Sequence, residues 1–339
     1  MSFQSSQEKS MKKHLIALAV AAAVAAPAAM ADTTLYGIAH VSADYVDNDV
    51  DSNLNVQSGS SRLGVKGSEK LSNGLSAIYQ MEFGVDMTDE AAGDKKGSFQ
   101  ARNQFVGLTG GFGTLVAGRH DTPMKLAIAK YDLFGDQIGD NGNATLYNFR
   151  APNVVAYMLP SNLGGFNGSV AYVADHNGDF KNGDNSDDND NQAYNVQLGY
   201  EHKIFTIDGV YQSWDLANET YTDWMIGAGV KFGGLKVNAL YQKPDEDLGA
   251  DVDIYGLGAA YTFGNNTVKG QYYTASTDGD DATMWALGYD YKMSKQTTVY
   301  AAYGQAKDGY TIVGDGHGGK GDIAGNDNTA ISVGVKHSF

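Results

Sequence analysis

The chain has 339 residues with a formal net charge of −16, 43 glycines and 21 tyrosines, but only 5 prolines and no cysteine. So acidic a chain argues against nucleic acid as a partner, and without thiols there are no disulfides and no thiolate metal sites. Beyond Ala31 no stretch approaches the roughly 18 apolar residues of a spanning helix, so a membrane crossing would have to be made with strands.

The first element is an address. From Met11 the chain reads MKKHLIALAVAAAVAAPAAMA: a basic start at Lys12 and Lys13, an apolar run from Leu15, and the small-residue signature Ala29-Met30-Ala31. This pattern predicts a secretory signal peptide over residues 1–31 together with the upstream decapeptide, cleaved after Ala31. The leader carries Lys9, Lys12 and Lys13 against Glu8, so the exported part, 32–339, is more acidic still. That part is predicted to be one domain, because barrels commonly exceed the usual domain length.

From residue 34 onward, segments of about 10 residues alternate apolar and polar side chains, the period of a strand. Strands are predicted over 34–46, 59–70, 75–87, 98–109, 113–121, 146–158, 166–176 and 192–203. They continue over 204–215, 222–232, 235–245, 251–263, 267–277, 282–293, 297–307 and 328–339. The alternation is cleanest late: Tyr255, Leu257, Ala259, Tyr261 and Phe263 oppose Ile254, Gly256, Gly258, Ala260 and Thr262. Connections are alternately short (GGFG at 110–113, GG at 233–234, GNN at 264–266) and long and polar, as in NGDFKNGDNSDDNDN at 177–191. The fold class expected is all-β, a 16-stranded antiparallel transmembrane β-barrel with short turns on the periplasmic side and long loops outside. A soluble sandwich also has many strands, but it has no reason to keep a polar face on every one of them. The last strand, ISVGVKHSF, carries its apolar face to the terminal residue, as a strand that closes onto the first would.

Charge is unevenly placed. All four arginines (Arg62, Arg102, Arg119, Arg150) fall between residues 62 and 150. A guanidinium facing lipid costs about 2–4 kcal/mol at the bilayer midplane, and alternation offers the lumen instead: Arg62 shares its face with Lys66 and opposes Leu63 and Val65. Glu82, in QMEFG, shares its face with Ile78 and Gln80, which leaves Tyr79, Met81 and Phe83 for lipid. Residues 121–145 form the longest connection of the first half, long enough to be functional, and carry Asp132, Asp136 and Asp140.

Several fragments, taken in order, resemble the general (trimeric) bacterial porins: TTLYGIAHVSADY, SSRLGVKGSEKLSNGLSAIYQMEFGVD, ARNQFVGLTGGFGTLVAGRHDTP, NFRAPNVVAYMLPSNLGGFNGSVAYV and VGVKHSF. The resemblance covers nearly all of residues 32–339. It implies a homotrimer in the outer membrane of a Gram-negative bacterium, in contact with lipid and lipopolysaccharide, whose third external loop folds inward. It implies passive diffusion of ions and small hydrophilic solutes, with Arg62, Arg102 and Arg150, beside Lys66, as the basic ladder of the constriction. Glu82 matches an acidic pore position. DLFGD at 132–136 is similar to the family's PEFGGD, except that Leu133 stands where the glutamate is expected, so Asp132, Asp136 and Asp140 are the candidate acids of the loop. Opposed rings of charge would set a transverse field that tunes ion preference. Arg119, in AGRHD, matches an arginine that braces the subunit interface, with Glu90 or Asp94 of a neighbour as partner; a pore-lining role is the equal alternative. The terminal Phe339 resembles the signal read by the barrel assembly machinery.

The tyrosines keep a second reading open, a solute-specific channel with a lumenal binding site, although girdle tyrosines are the plainer account. No catalytic, cofactor or metal motif accompanies the pattern. NGDNSDDND at 182–190 lacks the ligand spacing of a calcium loop, His120-Asp121 lacks any partner motif, and the glycine-rich 314–325 lacks a nucleotide-loop pattern.

Overall fold

A computed structural model describes residues 33–88, 99–146, 148–175, 192–216, 219–244, 252–276, 281–312 and 327–339. The predicted leader, Glu90, Asp94, the acidic stretch 182–190 and the glycine-rich stretch 314–325 lie outside these residues. Among the described residues no helix is long and apolar enough to cross a membrane.

The strands are β1 (Thr34–Asp47), β2 in two pieces (Ser52–Ser58 and Arg62–Lys70), β3 (Ser76–Val85), β4 (Phe99–Gly110), β5 (Gly113–Asp121) and β6 (Arg150–Met158). Then follow β7 (Phe166–Val173), β8 (Ala193–Glu201), β9 (Phe205–Leu216), β10 (Glu219–Phe232) and β11 (Leu235–Pro244). The last five are β12 (Asp253–Phe263), β13 (Asn266–Ser276), β14 (Ala282–Lys292), β15 (Thr297–Lys307) and β16 (Asn328–Ser338). Each pairs antiparallel with its chain neighbours, and β1 pairs with β16, so the sheet closes as a 16-stranded barrel. Gly37 and Phe339 exchange both backbone hydrogen bonds, at 3.0 and 3.1 Å, so the ladder runs to the terminal residue.

Both pieces of β2 pair with β1. The interruption at Gly59–Ser61 has a local cause: the backbone dips over the buried His40, whose carbonyl accepts from the Gly59 N–H at 3.0 Å and whose N–H donates to Ser61 Oγ at 2.9 Å. Ser60 takes a left-handed φ of 51° there. The expected strand over 59–70 therefore begins at a break, and the pairing extends back to Ser52. The expected strand 146–158 starts only at Arg150; Leu146, Asn148 and Phe149 belong to the preceding loop.

Alternation sorts the two faces. On β12, Tyr255, Leu257 and Tyr261 are about half exposed while Ile254 is fully buried; on β16, Ile331, Val333 and Val335 are exposed while Ala330 and Ser332 are buried. The outer belt is thus apolar, a surface that suits lipid rather than water. Aromatic side chains gather at both ends of it. Trp224, Tyr241 and Tyr255 lie side by side at the long-loop end, with ring centroids 5.0 Å apart in each contact; Phe166, Tyr200 and Phe205 do so at the short-turn end. These are the two interfacial girdles of a spanning barrel.

The segment after β5 does not run over the outside. Thr122 caps a helix, α1 (Pro123–Lys130), by accepting the Lys125 N–H at its Oγ1, and Pro123 supplies the helical φ at its first position. Met124, Ala127 and Ile128 are buried. From there the chain travels along the inner face of the opposite wall. Asn238 of β11 donates to the Tyr131 carbonyl at 2.7 Å, Gln271 of β13 accepts from the Leu133 N–H at 3.0 Å, and Lys269 donates to Gln137 at 2.8 Å. On its return, Gln242 of β11 both accepts from the Leu146 N–H and donates to the Leu146 carbonyl. Phe134 and Ile138 pack with Met225, Leu240, Ile254, Met284 and Ile312 in one apolar cluster, so part of the lumen is filled as a core.

The wall makes room for this loop by omitting side chains. A Cβ on Gly288 would stand 2.8 Å from Phe134, one on Gly258 would stand 2.9 Å from Leu133, and one on Gly227 would collide with the Tyr131 ring. Replacing Gly227 by valine is therefore expected to weaken loop anchoring by about 1–3 kcal/mol, the usual penalty for overpacking. Single-channel recording checks it: excess open-channel noise is expected in Gly227→Val and not in the wild type.

Candidate functional site

Six charged side chains of β2–β6, Arg62, Lys66, Glu82, Arg102, Asp121 and Arg150, converge on the inner face. Two irregularities in the sheet decide which of them point inward. Between β3 and β4 the register shifts, Met81 facing Gln104 and Phe83 facing Ala101, so that Arg102 and Asn103 together oppose the single residue Glu82. Strict alternation turns only one of two successive residues inward; a bulge of two residues against one lets both serve the lumen. Arg102 Nε meets Glu82 Oε1 at 2.6 Å. Asn103 donates to Asp121 Oδ2 at 2.8 Å and accepts from Arg150 Nε at 2.9 Å, and Arg150 Nη2 lies 3.0 Å from Asp121 Oδ1. Tyr36 donates to the other Glu82 oxygen at 2.9 Å, and Lys66 Nζ sits 4.9 Å from the Tyr36 ring centroid.

The second shift lies between β5 and β6, where Arg119 alone opposes Pro152 and Asn153. Arg119 is in register with Gln104, on the face of the exposed Leu115 and Ala117. It therefore stands apart from the inward set.

The three loop carboxylates do not assemble into one acidic rim facing the arginines. Asp136 ties the loop to the closing seam of the barrel, 3.5 Å from Arg62 and 3.3 Å from Lys336. Asp140 is engaged in the loop's own backbone, accepting from the N–H groups of Asp136 and Gly142, each at 2.7 Å. Asp132 accepts from the Phe134 N–H and from Gln271 on the far wall; burial, then the nearby Asp140 carboxylate, push its carboxyl up to about 7. Lys125 of α1 donates to the Asn148 carbonyl at 3.1 Å, and burial lowers its ammonium below the usual lysine range. At the helix's other end, Lys130 and Tyr131 both bond the buried Asp208 of β9 at 2.7 Å. Burial, then that hydrogen bond, raise the Tyr131 phenol.

Sequence reasoning did not single out Asn103, Lys125, Asp208 or Lys336, and met Asp121 only in the discounted His120-Asp121 pair. For Asp208 the signal was present: it alternates with the exposed Ile207 on β9, so it lies on the inner face. For Asn103 there was none, because its orientation depends on the bulge.

A closed sheet with an apolar belt outside, and inside it a charged wall faced by a tethered loop, defines a transmembrane channel of the β-barrel class. The family model described as Gram-negative porin matches residues 17–311. The chain belongs to that family, and with it to the bacterial outer membrane. Outer membrane porin protein 32 of Delftia acidovorans is 31% identical over 97% of this chain and 100% of its own. Major outer membrane protein P.IB of Neisseria lactamica is 30% identical with the same coverage. Among solved structures, Salmonella typhi OmpF in complex with daunomycin shares the fold with a TM-score of 0.71 at 18% identity, over 91% of this chain and 97% of that one.

Proposed function

We propose that this porin is a general diffusion channel with its constriction between the wall of β2–β6 and the inward loop. Ions and small hydrophilic solutes pass without an obligatory binding step. The observation that carries this reading is the bulge-presented group of Arg102, Asn103, Asp121 and Arg150, with Arg62 and Lys66 beside it and Asp136 on the loop. Arg62, Lys66, Arg102, Lys125 and Arg150 outnumber the carboxylates of Glu82, Asp121, Asp136 and Asp140 at this level. Fixed charge close to the narrowest point governs ion preference, since more distant charge is screened beyond about 8 Å. The passage therefore favours anions although the chain as a whole is acidic.

The tyrosines support this over a solute-specific channel. Tyr45, Tyr194, Tyr211, Tyr255, Tyr272, Tyr289 and Tyr303 are exposed on the outer face, while Tyr131, Tyr221, Tyr273, Tyr300 and Tyr310 are buried. Tyr36 does stand on the charged wall, but its hydroxyl is held by Glu82 and one ring there makes no aromatic track. A solved relation in fold is described as the trimer form of OmpT from Vibrio cholerae.

Conductance across a planar lipid bilayer under a salt gradient tests the reading. Ohmic steps that close in three equal parts at high voltage are expected, with a reversal potential on the anion side. Folded protein that gave no conductance would overturn the channel, and flux saturating with one solute would favour the specific channel instead.

A further inference from the structure

We propose that a cavity beneath the inward loop, at the short-turn end of β10–β14, binds small dianionic oxyanions, with Lys231 and Lys236 as its anchors. The site adds to the diffusion reading and rests on it only in that the ligand arrives through the lumen. The cavity is partly open, with a volume of about 470 Å³, and Lys231, Lys236 and Lys269 line it with Asp132, Asp290 and the Thr262–Thr267 pair. That volume admits a sulfate, a phosphate or a short dicarboxylate.

Lys231 and Lys236 are directly opposite one another across the β10–β11 hairpin. Like charges in that position oppose pairing, and the three lysines of the cavity outnumber its two carboxylates, Asp132 and Asp290. Among the described residues Lys231 has no ion-pair partner, and Lys236 Nζ donates to the backbone carbonyl of Lys130 at 3.2 Å. Of the two carboxylates that line the cavity, neither forms an ion pair with Lys231 or Lys236 among the described residues. Asp290 pairs with the buried Lys269 at 3.0 Å, and Asp132 accepts from Phe134 and Gln271. Thr262 and Thr267, hydrogen-bonded to each other at 2.9 Å, add hydroxyls at the same level. Two facing ammonium groups over a cavity with hydroxyl donors match an oxyanion of two charges, which would bridge the lysines and relieve their repulsion.

The test is titration calorimetry of the detergent-solubilised full-length protein with sodium sulfate at constant ionic strength, chosen because sulfate remains a dianion across the working pH range. Saturable binding is expected in the wild type, weakened at least tenfold in Lys231→Gln/Lys236→Gln, partly weakened in each single variant, and unchanged in Lys243→Gln, which removes a lysine at the other end of the barrel. Absence of saturable binding, or equal weakening in Lys243→Gln, would overturn the site. Chloride conductance measured on the same preparations separates the two ideas. A protein that conducts without binding sulfate lacks the site, whereas one that binds sulfate without conducting keeps the site and loses the channel.

Discussion

A chain ending at Ala330 is expected to form no barrel at all. The lost residues supply most of β16, which pairs with β1 from Ile38 to Asp47 on one side and with β15 from Thr297 to Ala306 on the other. Without them both neighbours become open edges in hydrocarbon, where each unsatisfied backbone group costs several kcal/mol. Refolding from urea into detergent, followed by electrophoresis with and without heating, checks this. The full chain should show a heat-sensitive folded band and the truncated chain only the unfolded one; a heat-sensitive band from the truncated chain would show that fifteen strands suffice. Phe339→Ala is expected to be milder, since the Gly37–Phe339 backbone pair survives. What it loses is the ring seated over Gly37, where a Cβ would come within 2.9 Å of Phe339 Cε2.

Neutralising the wall should change selectivity just as plainly. In the triple variant Arg62→Gln, Arg102→Gln and Arg150→Gln the reversal potential is expected to move to the cation side. A unit charge at about 4 Å contributes about 1 kcal/mol in water, about 3 kcal/mol for three, and with half of that lost to screening the anion-to-cation permeability ratio falls by at least about tenfold. The matching lysine variant keeps the charge and loses the planar forks that hold Glu82 and Asp121. It is expected to retain anion preference while the open current becomes noisier. An unchanged reversal potential in the glutamine variant would place the selective charge elsewhere in the lumen.

Bulges explain why the site was harder to read than the fold. Period-two alternation is a local property, visible in ten residues, and it predicted the inner face of Glu82 and the outer face of Met81 and Phe83 without reference to the rest of the chain. It has no means of placing Arg102 and Asn103 on one face. That follows from an extra residue in β4, which shows only when β4 is aligned with β3. The same holds for Arg119, left between lumen and interface by the sequence and set on the outer face by its register with Gln104.

From the sequence alone came the barrel, its closure by the last strand, the family resemblance and the segment that enters the lumen, because each rests on a repeating local pattern or a contiguous motif. Only the tertiary structure decided where that segment's carboxylates go. Asp136 meets a lysine 200 residues away on the closing strand, and Asp132 faces the wall of β13 rather than the arginines. The physical reason is that a loop in the lumen takes its course from side chains on strands distant in the chain, and from the glycines that leave it room.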